Sequence, residues 1–217
     1  MKQLILALMI FLSITACKKN AATQSTTDAP ASDTTITPSE NATSEAGQTL
    51  GNVMKSMMDK MHQIEKTGNA DYDLAAAMKE HHIGAVEMSA VEISSGNDTK
   101  LKDMAQKISD KQQKEITELE TIMSQSKSGD TNYSQDDQGL GKAMMDNMMS
   151  MMEMPATKGS TDKDFAVMMI KHHKDGIKMG QIILKYAKNT KFREMTEKMI
   201  ADQNKDIREL EMWLTQN

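Results

Sequence analysis

The sequence predicts an all-α protein, a four-helix bundle made of two duplicated helical hairpins, each accompanied by a flanking methionine-rich helix. Three observations carry this. Sliding the chain against itself by 91 residues aligns Asp71–Glu120 with Asp162–Glu211 without a gap, and 17 of the 50 pairs are identical. Unrelated segments would share roughly three, so the chain holds an internal duplication. Apolar residues recur at three-to-four spacing in both copies, and no stretch alternates apolar and polar residues as a half-buried strand would.

Along the chain, Lys2 and the apolar run Leu4 to Ile14 precede Ile14-Thr15-Ala16-Cys17. This reads as a signal peptide over residues 1–16 ending in a lipobox, with Cys17 the lipidated residue. About 11 apolar residues are too few to span some 30 Å of hydrocarbon as a helix, so the expected membrane attachment is by lipid alone. Lys18-Lys19-Asn20 places no Asp beside the cysteine, which favours an outer-membrane lipoprotein of a Gram-negative envelope, facing the periplasm. Residues 17–48 continue in Ala, Thr, Ser and Asp with Pro30 and Pro38, a tether with little to bury. The first helical repeat is expected at 49–124, a linker at 125–139 and the second repeat at 140–217, both in one bundle.

Each repeat reads as three helices: a Met-rich one (about 50–64 and 139–154), a His-bearing one (about 72–95 and 163–187) and a charged amphipathic one (about 98–124 and 190–215). In the last, Leu101, Met104, Ile108, Ile116, Leu119 and Met123 mark one apolar stripe. Only Gly96-Asn97-Asp98 and Asn189-Thr190 separate the second helix from the third, so each pair folds back as an antiparallel hairpin. Two hairpins about a pseudo-two-fold axis make the bundle.

Composition narrows the function. The chain has 26 Lys+Arg against 31 Asp+Glu, a net charge of −5, which argues against nucleic acid as a partner. Gly is only 11, and no Gly-rich fingerprint opens a helix, which argues against nucleotide-binding enzymes. The 23 Met stand beside one Trp, three Tyr and three Phe. Thioethers are flexible core filler but also soft metal ligands.

The His-bearing helices concentrate that chemistry. With about 100° of turn per residue from Met78, His81 falls at about 300°, His82 at about 40° and Met88 at about 280° around the helix axis. Two imidazoles therefore border one apolar face with a Met on either side. Met169, His172, His173 and Met179 repeat the pattern. Bundles build metal sites from facing helices, so these eight residues are the expected ligands. Imidazole with thioether, and no thiolate at hand, suits Cu(I) and tolerates Cu(II). A ferritin-type di-iron site needs Glu-x-x-His, whereas Met78 and Met169 hold the positions three before His81 and His172. Zinc in a closed tetrahedral His site stays open as an alternative.

The Met helices repeat Met-x-x-Met at Met54/Met57, Met58/Met61, Met145/Met148 and Met149/Met152, and Met144 to Met154 holds seven Met in eleven positions. Those seven span about 220° of the helix, wider than a packing stripe, which makes them an auxiliary metal site in competition with plain packing. Asp71, Asp73, Asp162 and Asp164 read as caps for free N–H groups. Gln112 and Gln203 fall in the stripe facing the imidazoles, as partners for them. His62, matched by Glu153, reads as a surface residue, and the Lys/Glu pairs of the third helices as a solvated face.

The run Asp164-Phe165-Ala166-Val167-Met168-Met169-Ile170-Lys171-His172-His173, continuing to Ile177 and Met179, resembles the signature of the bacterial family called domain of unknown function 305. The resemblance covers about 71–217. It implies a ferritin-like fold in two tandem copies and a kinship with secreted, CopM-like copper-binding proteins, with His81, His82, His172, His173 and their Met partners as ligands. The first copy departs at Leu74 and at Gly84-Ala85, which stand where the second has Phe165 and Asp175-Gly176. The expectation is a lipid-anchored envelope protein that binds and buffers copper and is not an enzyme, with a copper-exchange protein or a second copy of itself as partner. Alternatives are a ferritin-like metal-dependent oxidase and a structural or partner-binding bundle with core histidines.

Overall fold

The computed structural model describes residues 45–126, 131–134 and 138–217. They form six helices: α1 (Glu45–His62), α2 (Ala70–Ser95), α3 (Thr99–Ser126), α4 (Gly139–Met151), α5 (Thr161–Tyr186) and α6 (Thr190–Gln216). No strand occurs among the described residues. The expected signal peptide, Cys17 and most of the tether lie outside them.

Short polar side chains start the helices at positions related by the duplication. Asn69 accepts the N–H of Tyr72 at 3.2 Å, and its counterpart Ser160 accepts that of Lys163 at 3.3 Å. Asp98 accepts from Leu101 at 2.8 Å, and its counterpart Asn189 from Phe192 at 3.1 Å. Each bond satisfies a donor that the first helical turn leaves without a partner.

α2 packs on α3 and α5 on α6 as the two hairpins, and contacts of α2 with α5 and of α3 with α6 close the bundle. The duplication is thus realised as architecture. Lys111 of α3 reaches Asp202 and Asp206 of α6 at 3.3 and 3.6 Å, an ion-pair link between the outer helices.

The symmetry breaks at the Met helices. α1 rests on both α2 and α5, whereas α4 rests on α5. Gly84 is the reason α1 lies so close: a Cβ there would meet Met57 Sδ at 2.6 Å. Its counterpart Asp175 instead pairs with Lys171 and Lys178, and Lys171 also donates to the Ser150 carbonyl at 3.0 Å. Two boundaries also differ from expectation. α1 begins at Glu45, inside the expected tether, because Gly47 and Leu50 already turn a face into the core. α4 ends at Met151, short of Met154, since Pro155 disfavours helical backbone just before it. No helix among the described residues is long and apolar enough to cross a membrane.

Candidate metal centre

The four paired histidines meet at the middle of the bundle, where α2 crosses α5, and all four are fully buried. The rings of His81 and His172 lie with centroids 3.7 Å apart and planes tilted by 31°. His82 sits 6.4 Å from His81 and His173 sits 6.0 Å from His172, one on each flank. Met78, Met88, Met169 and Met179 are buried in the same core.

Three of the four imidazoles have an acceptor beside Nε2. His172 Nε2–H donates to the His81 carbonyl at 2.9 Å. Glu115 of α3 approaches His82 Nε2 at 2.9 Å, and Asp206 of α6 approaches His173 Nε2 at 3.5 Å, both as charge contacts. A negative oxygen beside one ring nitrogen favours the tautomer that carries its proton there, which leaves the lone pair on Nδ1. Both ring nitrogens of His81, His82 and His173, and Nδ1 of His172, are buried without a hydrogen-bond partner, the carboxylates beside His82 and His173 being charge contacts only. Burial is the main reason His81, His172 and His173 are held below the usual histidine range. For His81 the His172 ring adds to it, whereas Asp206 opposes it at His173. Burial therefore favours uncharged rings at these three positions, and each of the four imidazoles carries a nitrogen with no partner.

Ligand geometry is another matter. A lone pair lies in the plane of its ring, so two stacked rings cannot both aim at one ion. Among the described residues, no three His, Cys, Asp or Glu side chains are grouped to hold a metal. The sequence brings the eight expected residues into one core, but a metal shared by His81 and His172 requires one ring to turn.

Gly176 sets how close the rings come. A Cβ there would lie 2.7 Å from Gln203 Oε1 and 3.0 Å from His81 Cε1. Gln203 thus borders the His81 ring, as expected of it, but neither of its amide atoms bonds an imidazole. Glu115 and Asp206 instead bring carboxylates beside His82 and His173, and the sequence reading singles out neither. They are counterparts under the 91-residue offset, three positions after Gln112 and Gln203, and that matched acidity inside the stripe was the available signal.

The capping aspartates do something other than cap their own helices. Asp71 Oδ1 accepts from the N–H groups of Lys188 and Asn189 at 2.8 and 3.1 Å. Asp162 Oδ1 accepts from Asn97 and Asp98, both at 2.8 Å. Each repeat pins the hairpin loop of the other. Asp73 closes its own loop by accepting from Thr67, Gly68 and the Tyr133 hydroxyl, and Asp164 accepts from Lys158.

The expected auxiliary residues divide. Met54, Met57, Met58 and Met61 of α1 are buried core side chains, because α1 lies over both α2 and α5. Met145, Met149 and Met152 are 47, 63 and 66% exposed, and Met148 is half-buried.

A buried imidazole pair on each of two duplicated helices is the pattern against which known families can be compared. Residues 16–123 and 71–214 match the model of a family described as Domain of unknown function (DUF305). The chain belongs to the DUF305 family. The two matched segments agree with its duplication. The crystal structure of a DUF305 fragment from Deinococcus radiodurans is similar over 68% of this chain and 97% of that one, with a TM-score of 0.50 and 15% identity. At that identity the likeness concerns the fold of this DUF305 protein and not its chemistry. No curated protein matches it.

Proposed function

We propose that this DUF305 protein binds and buffers copper in the cell envelope, held to the membrane by a lipid on Cys17, and that it is not an enzyme. The observation that carries the reading is the set of buried imidazole nitrogens without a hydrogen-bond partner: both of His81, His82 and His173, and Nδ1 of His172. Buried polar atoms normally find partners, and a cluster that lacks them at one place has unmet donor capacity. Imidazole and thioether donors fit copper, Cu(I) above Cu(II). Glu115 and Asp206 then act as the carboxylates that orient ligating imidazoles and raise their basicity. Met78, Met88, Met169 and Met179 supply the soft donors.

A second reading has one observation in its favour: the 3.7 Å stacking of His81 on His172 is a packing arrangement, as in a structural bundle with core histidines. Anaerobic titration of the protein with Cu(I) against a chromogenic competitor separates the two. The copper reading expects tight binding at the centre, so that the protein takes up fewer Cu(I) equivalents when His82 and His173 are changed to Phe with helicity retained. A core-histidine bundle takes up no Cu(I) at the centre in either form.

A further inference from the structure

A groove of about 450 Å³ lies beside α2 between the end of α1 and the outer side of α4. Five thioethers line it, those of Met61, Met144, Met145, Met148 and Met149, together with the imidazole of His62. We propose that this groove is a second, solvent-accessible site for a soft monovalent metal ion, Cu(I) by class, held by His62 Nε2 and the thioethers of α4.

His62 is the decisive residue, and nothing in the sequence marked it. Its Nδ1 lies 2.8 Å from the Met58 carbonyl, and a carbonyl can only accept, so Nδ1 carries the proton. The lone pair is therefore on Nε2. A ligating imidazole characteristically donates its other N–H in this way, which fixes both tautomer and ring orientation.

The exposed apolar surface is made of sulfur side chains. Among the described residues every large apolar side chain that is exposed is a Met, namely Met145, Met149, Met152, Met154 and Met212. Ile64 and Ala77 also line the groove, but neither is exposed, so the apolar surface open to solvent there is thioether. Met145, Met148 and Met149 lie three and four residues apart, so they share one side of α4. Met144 and Met148 also line a void of about 20 Å³ that reaches Met61 and Met179, so the groove borders the core.

No Asp or Glu is among the described residues that line the groove. The charged side chain in the wall is the cation Lys66; a divalent ion would enter with no counter-charge and be repelled twice as strongly as a monovalent one. Uncharged thioethers without a carboxylate therefore select Cu(I) over Zn(II) or Cu(II). The site stands without the copper reading of the buried histidines; only a role in loading them would rest on that reading.

The test uses the full-length protein with methyl-labelled methionine, titrated with Ag(I) as a redox-inert probe and then anaerobically with Cu(I). The expected result is that substoichiometric Ag(I) shifts the methyl signals of Met144, Met145, Met148 and Met149 together with the His62 ring. In the Cu(I) titration, the variant H62N/M145L/M148L/M149L loses one equivalent relative to wild type, with helicity and Tm unchanged. If the buried centre holds no copper, wild type binds one equivalent and the variant none, and the groove site still stands. Unmoved methyl and ring signals, or an unchanged Cu(I) count in the variant, would overturn it. So would metal-independent, concentration-dependent broadening of the same methyls, which would make the groove a contact between two copies of the chain.

Discussion

His81 and His172 lie face to face with ring centroids 3.7 Å apart, although 91 residues separate them and each is the other's counterpart in the duplication. Gly176 permits the approach, since a Cβ there would press on both the His81 ring and the Gln203 amide. Gly176→Ala should therefore cost about 1–3 kcal/mol, as overpacking a filled core usually does. It should also move the imidazole resonances of His81 and His172. Unchanged ring signals in the alanine variant would show that Gly176 does not set the spacing.

Asp71 and Asp162 each hold two backbone N–H groups of the opposite repeat's hairpin loop. Removing a carboxylate strands both donors, so Asp71→Ala should lower stability by about 1–3 kcal/mol in urea unfolding. Asp59→Ala, which removes an exposed partner of Lys55, should stay within about 0.5 kcal/mol. Equal effects would mean that the cross-repeat pins contribute nothing particular.

Glu92 gives stability a pH dependence. Burial, and next the carboxylate of Asp162, push its carboxyl from 4.5 up to about 8. Asp162 is held below its usual range despite burial, by the N–H groups of Asp98 and Asn97. The folded protein thus keeps a proton on Glu92 that the unfolded chain loses above 4.5, so this contribution is complete below 4.5 and is lost as pH rises towards 8. Glu92→Gln keeps the size and shape of the side chain without titrating. Its urea midpoint should gain on wild type at pH 8.5 and match it near pH 4.5. A difference that does not change between those pH values would exclude Glu92 as its source.

Met54 and Met58 are core side chains of α1. Changing either to Leu is nearly volume-conserving and should cost under about 1.5 kcal/mol. Copper stoichiometry should not move. A lost equivalent on either change would make the buried methionines of α1 metal ligands.

Much of this was legible because the duplication repeats its own constraints. The hairpins, the two His pairs and their Met neighbours follow from spacing within one copy and agreement between two. What spacing could not give was partnership across elements. Glu115 and Asp206 fall within the stripes of α3 and α6, but which imidazole each meets shows only when those helices are laid against α2 and α5. Asp71 and Asp162 sit at helix starts, where a local cap is the natural reading, yet their partners belong to the other repeat. The burial of Met54, Met57, Met58 and Met61 depends on α1 lying over two helices at once, which no period within α1 encodes.

The central claim is that the buried imidazoles act with thioethers as soft-metal ligands. The most direct measurement compares Cu(I) and Zn(II) affinities of wild type and a variant with Met78, Met88, Met169 and Met179 changed to Leu. Thioethers add to soft-metal affinity and hardly to zinc, so the account predicts Cu(I) bound more tightly than Zn(II) in wild type, and a selective loss of Cu(I) affinity in the variant. Equal loss of both metals, or no loss of either, would contradict it.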